Sequence, residues 1–214
     1  MAEKTASLAG RAYERIRQNI LNLTYPPGMP LTEAMLTEEL NMSRSPVRSA
    51  IQRLEAEGLI ISDYHKSMTV KELTDQDISE IYQFRELMET AALKLIFSSG
   101  RNEEYSYRIE EKVVRMCALE HDLYEWQQTD NAMHMEIISI FGNSRINKIY
   151  ENNLSELLRI GQYSVKNGMN ISKTNESLRK MVRYMREGSY EKSCRVLREG
   201  HLITGRDSAL KERG

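Results

Sequence analysis

Apolar positions recur at helical spacing along almost the whole chain. Near the start, Tyr13, Ile16, Ile20 and Leu23 fall three or four residues apart, the signature of a helix with one buried face. That helix is predicted to stop before Pro26-Pro27-Gly28. A short helix carrying Met35, Leu36 and Leu40 follows, capped by Thr32, and Asn41-Met42 makes a tight turn. Ser43 is predicted to cap a third helix, with Pro46 in its first turn, where a missing N–H costs little. Val47, Ile51 and Leu54 form the apolar stripe of that helix, and Gly58 is placed as its stop. Leu59-Ile60-Ile61 and Met68-Thr69-Val70 then read as two short strands around a polar tip, Ser62 to Ser67. Helix, helix, turn, helix, hairpin is the order of a winged helix-turn-helix, predicted over residues 1–72.

Beyond Leu73 the helical period continues but the punctuation changes. All four prolines lie earlier, and amphipathic stretches of roughly 15–25 residues are broken only at Gly100, Gly142-Asn143, Gly168 and Gly188. This predicts an all-α domain over 79–214. A linker, 73–78, is expected to run into its first helix, with Thr74 as cap and Asp75 and Asp77 favourable against the helix dipole. The fold class is therefore mainly α, with one small β-hairpin in the first domain.

Composition narrows the function. With 30 basic against 31 acidic residues in 214, no chain-wide positive charge marks a nucleic-acid partner, so any such contact must be local. No run approaches the roughly 20 apolar residues of a membrane helix. The first ten residues, MAEKTASLAG, lack the apolar segment of a secretion signal, so a cytoplasmic protein is expected. Cys117 and Cys194 have neither metal-ligand nor redox spacing.

The third helix supplies a local site. Arg44 and Arg48 share one face, opposite the apolar stripe, beside Ser43, Ser45 and Ser49. No acid occurs between Glu39 and Glu55. Free N–H groups and hydroxyls at a helix start can hold phosphates, and an arginine can grip guanine through two parallel bonds. Two arginines on a helix are ordinarily just a solvated face; the surrounding order of elements favours DNA.

Three strings carry a resemblance: Leu23-Thr24-Tyr25-Pro26-Pro27-Gly28-Met29-Pro30-Leu31, Leu40-Asn41-Met42-Ser43-Arg44-Ser45-Pro46-Val47-Arg48, and Leu54-Glu55-Ala56-Glu57-Gly58-Leu59-Ile60. Through these the chain resembles the GntR family of bacterial transcription regulators. The resemblance implies operator contacts by Ser43, Arg44, Ser45 and Arg48, with Tyr64, His65 and Lys66 at the minor groove. Two positions depart from the family pattern, Ser67 at the usual wing glycine and Ala34 where some members carry an arginine. One recognition helix reads only a few base pairs, so a homodimer on a palindromic operator is expected.

In the second domain the apolar stripes contain polar residues. A helix over 78–96 aligns Ile78, Ile81, Met88, Ala92, Leu95 and Ile96, with Arg85 in their midst. A buried arginine needs a partner, either Glu89 one turn on or an anionic ligand. Over 123–141, Leu123, Trp126, Met133, Ile137 and Phe141 share a face with Asp130 and His134, whose spacing can aim a carboxylate and an imidazole at one point. Near the C-terminus Tyr190, Cys194, Leu197, His201 and Ser208 form another stripe, which turns His201 inward.

Glu80 to Glu89 and Asp130 to Asn143, with Ser177 to Leu202 more weakly, resemble the FCD effector domain of the family's FadR-type branch. The resemblance implies a bundle of six or seven helices that binds small effectors, often carboxylates. Many members hold a divalent metal (Zn, Ni or Mn) with one Asp and three His. Asp130 and His134 match the first two positions; the third aligns with Leu178 and the fourth with Gly200, one residue before His201. An incomplete site of Asp130, His134 and His201 is thus implied, the last in reach only if its helix rotates. Arg85, Asp130, His134, Asn175 and His201 make up the expected effector set. A bound metal and a metal-free polar pocket both stay open.

The reading is a ligand-responsive transcription regulator, in the family's commoner repressing mode, and not an enzyme. Two rivals stand beside it. A metal-dependent helical-bundle enzyme lacks its Glu-x-x-His pairs, Gly-rich phosphate loop and nucleophile elbow here. A constitutive DNA-binding dimer with a vestigial pocket is suggested by the two departed ligand positions.

Overall fold

The computed structural model describes residues 7–63 and 66–211, and the chain divides into two compact units at Leu73/Thr74.

In the first unit, α1 (Leu8–Leu21) is capped by the Ser7 hydroxyl, which accepts from the Gly10 N–H. Its buried face is Ala12, Tyr13, Ile16 and Ile20, and the helix packs on α3 (Arg44–Ala56) through Val47, Ala50, Ile51 and Leu54. Burying each such aliphatic side chain contributes about 1.5–3 kcal/mol. Leu23 lies past the helix end, in the left-handed region at φ 62°, and so adds nothing to the α1 stripe. Between these helices sits α2 (Glu33–Leu40), where Thr32 caps as expected by accepting from the Met35 N–H. Asn41 turns the chain in the left-handed conformation. Ser43 occupies the cap position of α3, but its side chain makes no capping hydrogen bond. Gly58 stops α3 at φ +70°, a conformation that costs glycine little.

The hairpin is β2 (Ile60–Asp63) and β3 (Lys66–Val70), paired antiparallel with a register irregularity at Ser62/Asp63. A third strand, β1 (Pro30–Leu31), pairs with β3 and gives the order β1-β3-β2. The sequence reading missed it because two residues carry no periodicity. Tyr64 and His65 lie outside the described residues, as do the side chains of Lys66 and Ser67.

The second unit opens with α4 (Asp75–Ser98). Thr74 and Asp77 form a reciprocal capping box, Thr74 accepting from the Asp77 N–H and Asp77 from the Thr74 N–H. Residues 73–78 are therefore folded and not a free connector: Leu73 is fully buried and Asp75 already starts the helix. Then come α5 (Asn102–Ala118), α6 (Leu123–Ile138), α7 (Ser144–Asn152), α8 (Leu154–Lys166) and α9 (Ile171–Arg186). The last rod is α10 (Tyr190–Leu197), a π-helical segment (Arg198–Ile203) and α11 (Thr204–Ala209) without a break. Counting that rod once, the described residues of this unit hold seven helices.

Packing follows the predicted stripes with local exceptions. Ile78, Ile81, Ala92 and Ile96 are buried on α4, whereas Leu95 is exposed and Leu93 takes its inward place. On α6 Trp126, Met133 and Ile137 are buried, and Leu123 at its start and Phe141, in the 3-10 turn Ser139–Phe141 that follows it, are only half-buried. Tyr190 and Cys194 are likewise half-buried. α4 packs against α6 and the last rod, and α8 closes on α6 and α11. This arrangement brings the polar positions of α4, α6 and the π segment together.

Candidate functional site

On the first unit, Ser43, Arg44, Ser45 and Arg48 are all exposed on the N-terminal part of α3. Val47 and Ala50 anchor the opposite face. Arg48 is not free: its Nε and Nη2 donate to the two carboxylate oxygens of Glu33, each at 2.8 Å. Arg44 has no hydrogen-bonded partner among the described residues.

In the second unit, buried polar side chains converge from four elements. Glu89 of α4 is the hub. It accepts from Arg85 Nε at 2.9 Å, from the Tyr150 hydroxyl of α7 at 2.7 Å and from His134 Nδ1 of α6 at 2.5 Å. Burial alone would raise its carboxyl, but the His134 and Arg85 charges and these bonds hold it down to about 2. An ionised carboxylate only accepts, so His134 Nδ1 carries a proton and His134 Nε2 faces the other way. There it meets His201 Nε2 at 2.7 Å and Asp130 Oδ1 at 3.6 Å, and His201 Nε2 lies 3.1 Å from the same Asp130 oxygen. One ligand atom from each of Asp130, His134 and His201 falls within 4.8 Å of the others.

Burial and the neighbouring charges set the electrostatics of the cluster. Burial would raise the Asp130 carboxyl, yet the two imidazoles hold it well below its ordinary range. Burial and Arg85 push His134 down, but Glu89 and Asp130 outweigh them and leave it raised. His201 is lowered, since burial outweighs Asp130. Asp130 Oδ1, His201 Nδ1, Arg85 Nη2 and Gln127 Oε1 are buried with no hydrogen-bond partner. They border an enclosed cavity of about 10 Å³, room for about one water or ion, which Tyr82, Gly161, Ser164, Met169 and Gly205 complete. The residues present fit a divalent metal, with an Asp oxygen, two imidazole nitrogens and a carboxylate fixing one imidazole from behind.

His201 reaches this point because Arg198–Ile203 is π-helical. The wider turn takes in one extra residue and rotates His201 inward, which offsets its one-residue displacement from the expected ligand position. Gly200 and Leu178 supply nothing: Leu178 is a fully buried apolar residue of α9. Asn175 is engaged structurally, its Oδ1 accepting from Trp126 Nε1 at 3.2 Å and its amide donating to Glu120 at 2.7 Å. The cluster thus unites Arg85, Asp130, His134 and His201, while the Asn175 amide is spent on other partners. Sequence reasoning named Glu89 only as a partner for Arg85. Its central role, and that of Tyr150, left one sequence signal, a carboxylate on an otherwise apolar stripe.

Comparison with known proteins places these features. Residues 8–70 match the family model described as bacterial regulatory proteins, gntR family, and residues 80–202 match the FCD domain. An uncharacterized HTH-type transcriptional regulator in the TAR-I ttuE-ttuC' intergenic region of Agrobacterium vitis is 32% identical over 65% of this chain and 85% of its own length. The gluconate operon transcriptional repressor of Bacillus licheniformis is 28% identical over 69% of this chain and 60% of its own. Another HTH-type regulator, from Bacillus subtilis, is 34% identical, but the match spans only 41% of that protein. A solved GntR regulator from Rhodococcus sp. RHA1 shares the fold, with a TM-score of 0.72 at 19% identity over 96% of this chain and 99% of that one.

Proposed function

Because the chain belongs to the GntR family of bacterial regulatory proteins and carries an FCD domain, we propose that it is a ligand-responsive transcriptional repressor. It binds a palindromic operator as a homodimer, and a small carboxylate, held at the buried cluster, alters its affinity. The convergence of Arg85, Asp130 and His201 on one small cavity, with His134 set against His201, carries this reading, because unpaired buried polar atoms cost about 1–3 kcal/mol each and are retained where a ligand satisfies them.

On the DNA side, Ser43 and Ser45 hold phosphates, Arg44 and Arg48 enter the groove, and Lys66 with its neighbours Tyr64 and His65 meets the minor groove. The two arginines lie on one exposed face, which supports this assignment. In the second unit, Asp130, His134 and His201 would hold a divalent cation, which supplies a Lewis-acidic anchor for effector oxygens. Glu89 orients His134, and Arg85 keeps Nη2 available for a carboxylate. The cavity admits an ion but not a metabolite, so effector entry requires its wall to move. That movement is the step by which binding shifts the population of DNA-competent states. The curated relatives are named as transcriptional regulators, which supports regulation over catalysis.

The test combines DNA selection with ligand screening on the full chain. Duplexes selected from a random pool should contain an inverted repeat, and light scattering should give a dimer. A panel of di- and tricarboxylates, screened with Zn, Ni or Mn present, should change both the melting temperature and the affinity for the selected duplex. A carboxylate that raises melting and alters DNA affinity in the wild type but not in Arg85→Ala bears the reading out. Selection without an inverted repeat, or ligand shifts unaffected by Arg85→Ala, overturns it.

A further inference from the structure

The pairing between Glu33 and Arg48 is bidentate, exposed and links the two helices of the helix-turn-helix. Arg48 is the fifth residue of α3 and Glu33 the first of α2, whose start is fixed by the Thr32 cap. The two side chains retain 60% and 37% exposure, so the pair does not serve the core. An exposed ion pair between single atoms contributes little, because two long side chains lose freedom in water to form it. A fork engaging both oxygens is different, since it fixes the plane of the guanidinium.

The edge used is decisive. Glu33 takes Nε and Nη2, the side edge of the guanidinium. The end edge, made of Nη1 and the second proton of Nη2, has no hydrogen-bonded partner among the described residues. Those two parallel N–H groups match O6 and N7 of a guanine in the major groove. Arg44, one turn earlier on the same face, has no such brace among the described residues. The two arginines, alike in sequence, therefore differ in restraint.

We propose that Glu33 is the positioning residue that makes Arg48 a base reader, holding its end edge outward for one guanine per half-site, while Arg44 acts as the adaptable contact. Glu33 itself touches no base. Its carboxylate repels the phosphates nearby, which lowers affinity for every duplex and leaves the braced arginine to restore it only where guanine is present. Selectivity comes from both terms. The Glu33 carboxyl is held below its ordinary range by the Arg48 bond, so the brace persists through neutral pH. This inference rests on the proposal that Arg48 enters the groove, and the experiment separates the two.

Full-length protein is used to select a duplex from a random pool, and affinities are measured at fixed salt for that duplex and for every single base-pair change. Arg48→Ala should abolish preference at one position per half-site. Glu33→Gln and Glu33→Ala should lower preference at that same position by about tenfold, with affinity for a scrambled duplex unchanged or higher. In an Arg48→Ala background the Glu33 substitutions should have no further effect on preference. Glu33 lies at the surface, so melting curves should stay close to wild type and show that the variants fold. If Arg48→Ala leaves every preference intact, the placement of Arg48 fails and the brace falls with it. If Arg48→Ala abolishes a preference that Glu33→Gln and Glu33→Ala retain, or if the Glu33 variants change all duplexes equally, only the brace is overturned.

Discussion

The Nε2 atoms of His134 and His201 stand 2.7 Å apart, on rings stacked at 15° with centroids 4.8 Å apart, though 67 residues separate them in the chain. Two imidazole lone pairs repel at that distance, so a proton or a cation must sit between them. Zn, Ni or Mn should raise the melting temperature of the purified chain, and a chelator should reverse the rise. His201→Ala should abolish the shift. Elemental analysis of His201→Ala that matches wild type would remove the metal from this site.

The π-helical turn makes a sharper version of that test. Deleting Gly200 removes the extra residue, so 198–203 can close as an α-helix with His201 moved into position 200. Helix content by circular dichroism and the metal-dependent shift should both be kept. A deletion variant that folds but loses the shift would show that the wide turn itself, and not the register, places His201.

Arg85 and Glu89 form a buried pair, and losing one member should cost more than losing a surface ion pair. Glu89→Ala strands Arg85 and also releases Tyr150 and His134, so a loss of about 3–5 kcal/mol in chemical unfolding is expected. Arg85→Met leaves Glu89 with two remaining donors and should cost less. The reverse order in urea titrations, with chelator present, would mean Arg85 is the hub.

Gly161 is required by a neighbour and not by its backbone. A Cβ there would lie 2.1–2.4 Å from the Gln127 amide, which itself donates to Asp130 at 3.1 Å. Gly161→Ala should destabilise by about 1–3 kcal/mol. Gln127→Ala in the same chain should recover most of that loss, and failure to recover it would place the strain elsewhere.

Tyr13 gives a pH dependence in the first unit. Burial, and then its hydrogen bonds to Glu57 at 2.8 and 2.9 Å, raise the phenol above its ordinary value of about 10. A raised folded value means the stabilisation is complete below pH ~10 and is lost as pH climbs toward the folded value. Tyr13→Phe should cost about 1–2 kcal/mol at neutral pH and flatten the alkaline decline of this unit's melting. An identical alkaline limb in wild type and variant would assign the decline to another group.

Local chemistry made much of this protein legible before folding. The positions of Thr32, Gly58 and Thr74 set helix ends through capping groups and left-handed geometry, which depend on a few adjacent residues. The stripes of α1, α3 and α6 followed from the 3.6-residue period, and so did the inward turn of Arg85, Asp130 and His134. Tertiary structure decided what those inward residues meet. Glu89 serves three donors from three elements, Asn175 is spent on Trp126 and Glu120, and Arg48 is braced by a helix that precedes its own. Leu95 faced outward because periodicity fixes an angle around one helix axis but not where neighbouring helices end. The π segment is the plainest case. The family resemblance puts Gly200 at the ligand position, and only packing of that rod against α4 and α9 shows the extra residue that brings His201 there instead.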